Sequence, residues 1–135
     1  MTVSNKAVFP QTVTAGVAVC TAAKTTYGDT ANAVLLLTVG ADGGEVTEVR
    51  ATPRATCTAT QLQLYVSLDG GVTLSLFETA LLPATTVSAT AAITTVTFSA
   101  LDARPWRLPA NAKLYAATGV ALAAGVQFIA QARNF

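Results

Sequence analysis

The chain offers few side chains that could carry out chemistry, and its 135 residues include no histidine. Without an imidazole, neither a Ser-His nor a Cys-His nucleophile can be assembled. Hydrolysis by paired carboxylates requires two acidic side chains that face each other, and each of the seven acids lies beside a predicted turn or at an outward strand position. No phosphate-binding loop or zinc-ligand spacing is present in the sequence. We therefore expect no enzyme activity, no catalytic residue and no cofactor.

The closest approach to a metal-binding loop is Asp42-Gly43-Gly44-Glu45, which Glu48 follows. Calcium is held by about six to eight oxygen ligands. These few carboxylates, without an Asp-x-Asp spacing, supply too few of them. We predict a turn with a solvated edge here, and no metal site.

Cys20 and Cys57 are the two thiols of the chain. Cys20 ends the first predicted strand, whereas Cys57 lies between two others. A disulfide within one chain requires Cα atoms about 5.5 Å apart, a separation that the sequence does not determine. Two alternatives are open. Either both thiols are free and pack as small hydrophobic groups, or Cys20 and Cys57 are candidates for a disulfide within or between subunits.

The segment Arg104-Pro105-Trp106-Arg107-Leu108-Pro109 combines two cations, two prolines and the single tryptophan. Tryptophan and arginine are enriched at interface hot spots, which favours an exposed recognition loop. The alternative is an edge strand whose tryptophan fills one end of the fold, with the prolines blocking further pairing.

Residues 1–11 are predicted to form an N-terminal arm, and residues 12–135 a single domain. The arm is polar to mixed and ends near Phe9-Pro10. It either docks on an adjacent subunit or stays disordered, which is the commoner behaviour of a chain terminus. The candidate interface residues are Phe9, Pro10, Arg104, Trp106 and Arg107.

A β-hairpin is the clearest structural signal, and it occupies residues 61–76. Apolar and polar side chains alternate there, and Asp69-Gly70-Gly71 reverses the chain before Leu74 and Leu76 resume the alternation. This pattern predicts one buried face and one wet face. The predicted buried face holds Leu62, Leu64, Val66 and Leu68, and the predicted wet face holds Gln61, Gln63, Tyr65 and Ser67.

The reversal itself resembles the Asp-box, a Ser-x-Asp-x-Gly-x-Thr-Trp turn of sialidases and other β-propellers. Ser67, Asp69, Gly71 and Thr73 match that motif, while Leu74 stands where the motif has tryptophan. The motif occurs once in the chain, so a propeller is not supported. We predict a structural role, in which Asp69 caps the turn and the pair Gly70 and Gly71 supplies positive φ angles.

Turn signals divide the chain into about eight strand-like runs, which favours an all-β, antiparallel β-sandwich of jelly-roll or Greek-key type. The weakly patterned segment from Pro83 to Ala92 is a candidate crossover between two sheets. The predicted strands are Thr12–Cys20, Ala33–Thr38, Gly44–Ala51, Thr60–Leu68, Val72–Leu81, Ile93–Ser99, Lys113–Val120 and Gly125–Arg133.

Composition bounds the partners. Hydrophobic residues make up 52% of the chain, charged residues only 11%, and the net charge is +1. We therefore expect no nucleic-acid partner. No window approaches a membrane-spanning length, so we expect no membrane partner, and the N-terminus does not resemble a secretory signal. A weakly charged surface risks association, so we infer that partner subunits cover much of it; the alternative is a sandwich that is stable alone.

Several segments together resemble a family of short virion structural proteins from tailed phages and prophages of alphaproteobacteria. The resemblance implies a non-enzymatic β-sandwich component of the capsid shell or neck, and it carries over no functional residue. The segments that carry it are Thr-Thr-Tyr-Gly-Asp (25–29), Asn-Ala-Val (32–34), Gly-Gly-Glu-Val-Thr-Glu-Val-Arg-Ala (43–51), Ala-Thr-x-Thr-Ala-Thr-Gln-Leu-Gln-Leu (55–64), Ser-Leu-Asp-Gly-Gly (67–71) and Gly-Val-Ala-Leu-Ala-Ala-Gly-Val (119–126).

The expected function is thus a capsid-decorating or capsid-stabilising virion protein, located on the capsid surface or at the neck. Its expected partners are the major capsid protein or other virion subunits and further copies of itself, with a trimer favoured. The alternative is a receptor- or carbohydrate-binding head of a fibre or spike. That alternative gains if Trp106 shares one open face with a tyrosine. A secreted bacterial β-domain is a third hypothesis, which the missing signal peptide disfavours.

Overall fold

The computed structural model describes residues 12–98 and 105–135, and within them the fold is all-β, with no helix. The predicted antiparallel β-sandwich is confirmed, with nine strands instead of about eight. Accordingly, the described part of the chain holds no helix long and apolar enough to cross a membrane. The strands are β1 (Thr12–Cys20), β2 (Val34–Thr38), β3 (Gly44–Pro53), β4 (Thr60–Ser67), β5 (Ser75–Leu82), β6 (Val96–Thr97), β7 (Trp106–Leu108), β8 (Lys113–Thr118) and β9 (Val126–Asn134).

Two sheets form the sandwich. Sheet A has the order β1-β9-β3, and the short strands β6 and β7 both pair with the far side of β3. Sheet B has the order β2-β8-β4-β5. If β6 and β7 count as one interrupted strand, the first strand pairs with the last, the second with the second last, and so on inward to the β4–β5 hairpin. This nested pairing is the predicted jelly roll.

The strand predictions differ most from the structure near β6 and β7. The predicted strand Ile93–Ser99 is reduced to Val96–Thr97 among its described residues. Of the two alternatives for the segment around Trp106, the edge strand is confirmed, because Trp106–Leu108 forms β7 and pairs with β3. Prolines flank β7 on both sides and keep it short, since proline cannot donate a ladder hydrogen bond. The predicted crossover is confirmed: the chain after β5 passes from sheet B to β6 in sheet A.

The main core lies between the two sheets. Alternate residues of the central strands point inward, and Val46, Val49, Leu62, Leu64 and Phe128 are at most 1% exposed. Burying each large apolar side chain stabilises the fold by about 1.5–3 kcal/mol. The apolar residues whose alternation predicted these strands are therefore also the residues that fill the core.

The predicted wet face of the β4–β5 hairpin is wrong. Gln63, Tyr65 and Ser67 are as deeply buried as the leucines on the opposite face. The loop formed by residues 21–33 lies against this outer face of sheet B, and the backbone N–H of Lys24 donates to a carbonyl of β8 at 2.8 Å. Alternation along a strand separates its two faces, but it cannot show that a distant loop covers the second one.

The reversal between β4 and β5 is also longer than predicted. β5 begins at Ser75, not at Val72, so residues 68–74 form the connection. The alternation predicts Leu68 on the buried face. This prediction is wrong, because Leu68 lies in the connection and is 67% exposed. Leu74 is buried, but it packs with Tyr65 on the outer side of sheet B.

Side-chain hydrogen bonds hold this connection, as predicted for Asp69. Its Oδ1 accepts a hydrogen bond from the Ser67 hydroxyl at 2.8 Å and one from the Thr73 backbone N–H at 2.9 Å. The Ser67 Oγ in turn accepts from the Gly71 N–H at 2.8 Å. Gly70 and Gly71 have φ angles of 80° and 98°, which glycine adopts without steric cost. The motif is therefore architectural.

Candidate interaction surface

The structure locates two of the five predicted interface residues. Trp106 and Arg107 lie on β7, at one edge of sheet A, and successive strand residues point to opposite sides of the sheet. Phe9, Pro10 and Arg104 lie outside the described residues.

Trp106 faces the interior of the sandwich. Its ring stacks on the ring of Phe77 in β5, with centroids 3.7 Å apart and planes within 5°. Trp106 is half-buried and packs against the main core. The stack therefore joins sheet A to sheet B at this edge, which is the plugging role that the edge-strand alternative predicted.

Arg107 faces outward and belongs to a row of charges that crosses three strands. Glu45 of β3 is paired in register with Arg107 of β7 on one side and with Arg133 of β9 on the other. Its carboxylate accepts a hydrogen bond from the Arg133 guanidinium at 2.8 Å and lies 3.9 Å from that of Arg107. The sequence predicts that Glu45 lies at the solvated edge of a turn. This prediction is wrong, because Glu45 lies within β3 and is only 8% exposed.

The turn predicted at Asp42-Gly43-Gly44-Glu45 is present but ends earlier, because Gly44 and Glu45 already belong to β3. Gly43 has a φ of 84°, and its N–H donates to the Gly40 carbonyl at 3.1 Å. Glu48 pairs with Arg50, two residues further along β3. Among the described residues, no three His, Cys, Asp or Glu side chains lie together in a way that could hold a metal ion.

Charge is distributed unevenly over the outer face of sheet A. β3, in the middle of the sheet, contributes Glu45, Glu48 and Arg50. The outward residues of β9 that pair with them include one charged, one polar and one apolar side chain: Arg133, Gln131 and Ile129. The outward residues of β1 are all uncharged. Natural sheets usually concentrate charge at their edges, where it prevents pairing with other chains. Here the charge extends from the β7 edge across β3 to β9, whereas the β1 edge is apolar.

Four residues form a continuous apolar strip along that edge. Val13, Ala15 and Val17 point outward from β1, and Ile129 of β9 is paired in register with Val17. Val13 is 80% exposed, Val17 60% and Ile129 40%. We call these four residues the apolar strip.

Both cysteines are free thiols in the structure. Cys20 is fully buried at the end of β1, and burial raises the pKa of its thiol to about 12. Cys57 is half-buried, and its backbone forms an isolated bridge with Thr85. The structure thus favours the free-thiol alternative within one chain, and a bond between subunits stays a prediction.

A second polar cluster, which sequence reasoning missed, lies on the outer face of sheet B. The ammonium of Lys24 donates to the Asp29 carboxylate at 2.7 Å and to the carbonyls of Asp29 and Ala31 at 2.8 and 2.9 Å. The hydrogen bond from Lys24 to this carboxylate, followed by those from the Thr26 hydroxyl and the Ala31 backbone N–H, lowers the pKa of Asp29 to about 2. No sequence motif marks a single lysine as buried, so only the fold reveals it.

The same cluster continues into strand β4. Gln63 donates to the backbone carbonyl of Lys24 at 2.9 Å and accepts from the Tyr65 hydroxyl at 2.6 Å. Burial raises the pKa of Tyr65 to about 12. Tyr27 reaches the cluster from the loop and donates to Gln61 at 2.8 Å. Every polar group here has a partner, so the cluster secures the loop and offers no open coordination site.

Comparison of the chain with protein-family models, with curated proteins and with solved structures finds no match.

Proposed function

We propose that the chain is a non-enzymatic structural protein of a tailed-phage virion, which decorates or stabilises the capsid through repeated contacts between subunits. Its partners would be the major capsid protein or other virion subunits, on the capsid surface or at the neck. The proposal extends the resemblance seen in the sequence, and the observation that carries it is the uncharged, apolar β1 edge of sheet A.

The β1 edge supports adhesion because an exposed, uncharged and apolar edge is a liability for an isolated protein. Val13 and Val17 are more than half exposed on a strand that carries no charged side chain. Chains that act alone usually gain solubility from surface charge, whereas only 11% of this chain is charged. A protein whose surface is covered by neighbouring subunits does not need a charged surface to stay soluble.

Repetition would make weak contacts sufficient. A stable interface of ordinary size buries about 1,600 Å², and a small jelly roll presents a limited surface to any one neighbour. Many copies bound to one shell act together, so that the attachment exceeds the affinity of each contact. Jelly rolls build viral capsids as well as lectins, which makes the fold compatible with this role by analogy only.

The alternative, a carbohydrate- or receptor-binding head, has weaker support. A sugar-binding site of this kind would place Trp106 and a tyrosine on the same open face. Trp106 stacks on Phe77 between the sheets, whereas Tyr27, Tyr65 and Tyr115 belong to the outer side of sheet B. The aromatic groups are therefore on different surfaces, and no shared platform for a sugar ring is formed by the described residues.

Co-sedimentation with capsid shells tests the proposal. Shells of a phage that carries this gene are assembled without the protein and mixed with purified chain. We expect saturable binding of many copies per shell, and weaker binding by a variant that lacks residues 1–10 but melts normally. Absence of binding to shells and necks, together with binding to host cells or to an immobilised glycan, would support the alternative instead.

A further inference from the structure

We propose that strand β1 is a pairing edge for a second copy of this chain, so that sheet A continues across a twofold axis into the β1 strand of the neighbour. The proposal concerns the isolated protein and does not depend on its place in a virion. It rests on a comparison of the sheet edges that the described residues form.

Three of the four edges carry features that block pairing. β2 has a β-bulge at Leu36, and β5 has one at Phe77 beside the charged Glu78. The third edge consists of β6 and β7, which have two and three residues, and Pro105 and Pro109 flank β7. Bulges, charges, short strands and prolines are the usual protections of an exposed edge.

The β1 edge carries none of these features. β1 has nine residues, no charged side chain and no proline, and its register with β9 is unbroken from Thr12 to Cys20. Among residues 12–98 and 105–135, no strand pairs with its other side. A long, regular and uncharged edge is a template for another strand. Because the protections are present on the other edges, their absence here points to a contact.

The sequence of β1 is compatible with itself in the antiparallel direction. A twofold axis at Gly16 pairs all nine residues, and it places Val13 opposite Val19 of the second copy and Ala15 opposite Val17. These pairs lie on the outer face, and no like charges meet. Pairs that include β-branched residues stabilise antiparallel strands. A twofold contact requires this kind of self-complementarity.

A closed trimer, which the sequence alone favoured, would require a different contact. In a ring, the β1 edge of one copy would have to pair with another edge of the next copy. Those edges carry the bulges at Leu36 and Phe77 or the short, proline-flanked strands. The twofold dimer is therefore the arrangement that we propose for association through β1.

Sedimentation equilibrium of the purified full chain tests the proposal. From low micromolar to near-millimolar concentration, we expect the mass to rise from the 13.8 kDa of one chain towards twice that value. Over the same range, hydrogen exchange of β1 amides should slow. The substitution Val17→Lys places like charges near each other across the axis, and we expect it to weaken association about tenfold.

Two matched variants serve as controls. Leu81→Lys changes a residue of similar exposure, 68%, on the protected edge β5. Ile129→Lys changes the neighbour of Val17 on the same face, but away from the edge. We expect both to associate within about twofold of the unmodified chain, because surface substitutions have small effects. If Val17→Lys does not fold, Ala15→Lys makes the same test at the exposed position that faces Val17 across the axis.

Several results would overturn the proposal. These are a monomer at the highest concentration, a trimer, or equal weakening by Val17→Lys and Leu81→Lys. A fourth is association that appears only after residues 1–10 are deleted, because the N-terminal residues of the same chain would then be the occupant of the β1 edge. Failure of shell binding with intact dimers would count against the proposed function alone.

Discussion

Lys24 holds its ammonium 5.4 Å from the centre of the Tyr65 ring, although the two residues come from a loop and from the middle of a sheet. The Lys24 side chain is completely buried, and three oxygens accept its hydrogen bonds. A buried ammonium is tolerated only when it is paired in this way. The contact therefore fixes the loop of residues 21–33 over the outer face of sheet B.

Replacement of this lysine should destabilise the fold. In Lys24→Met, the carbonyls of Asp29 and Ala31 lose their donor, and hydrogen bonds to charged groups contribute about 1.5–3 kcal/mol each. We expect the free energy of unfolding to fall by about 2–3 kcal/mol in urea titrations. The control is Lys113→Met, a half-buried lysine at the start of β8, which should change stability by less than about 0.5 kcal/mol. Equal effects of the two variants would contradict the role given to Lys24.

Gly16 should not tolerate a side chain. A Cβ atom at Gly16 would lie 1.8 Å from the carbonyl oxygen of Leu36 in the opposite sheet, and backbone cannot move aside cheaply. We expect Gly16→Ala to lower the free energy of unfolding by about 3 kcal/mol. Gly28→Ala is the matched control, because a Cβ atom at that loop position would have no neighbouring atom within 4 Å. A stable Gly16→Ala protein would contradict the close approach of β1 to β2.

Acid should destabilise the fold through two aspartates. Hydrogen bonds from Lys24 and Thr26 lower the pKa of Asp29 to about 2. Asp69 accepts hydrogen bonds from the backbone N–H of Thr73, from the Thr73 hydroxyl and from the Ser67 hydroxyl. These hydrogen bonds lower the pKa of Asp69 to about 2. The pKa of an unfolded aspartate is about 3.9. A lowered folded-state pKa contributes stability that is present above about pH 4 and is lost as the pH falls towards 2.

Urea midpoints between pH 5 and pH 2 measure this loss. The double variant Asp29→Asn, Asp69→Asn lacks both carboxyl groups, so its midpoint should change less with pH than that of the unmodified chain. Parallel pH profiles for the two proteins would contradict the assignment.

Local patterns predicted most strands, because alternating apolar residues are a property of each strand alone. β1 runs from Thr12 to Cys20 as expected. What the patterns could not show is contact between distant segments. The burial of Gln63 depends on a distant loop, since its amide donates to the Lys24 carbonyl across a sequence separation of 39.

The candidate interaction surface was predictable only in part for the same reason. Trp106 stands out by type, but its stacking on Phe77 requires knowledge of both sheets. The contrast between the charged row on β3 and β9 and the uncharged β1 edge becomes visible only when the register of β1, β9 and β3 is known, because Glu45 and Arg133 are 88 residues apart. Neither feature has a local signature.

The two thiols should differ in reactivity. Cys20 is fully buried and burial raises its pKa to about 12, so almost no thiolate forms near neutral pH. Cys57 is half-buried. With Ellman's reagent at neutral to mildly alkaline pH, we expect Cys57 to react in the native protein and Cys20 to react only on unfolding.

The variant Cys57→Ser is the control, and it should abolish the reaction of the native protein. Failure of both thiols to react after unfolding without reductant would reveal a disulfide and contradict the free-thiol structure. Rapid reaction of Cys20 in the native state would contradict its burial.

Electron cryo-microscopy of virions made with and without this gene tests the proposed assembly role most directly. We predict a jelly-roll density in many copies on the shell or neck, present with the gene and missing without it. Identical particles in both preparations, with the chain undetectable in purified virions, would contradict the proposed role.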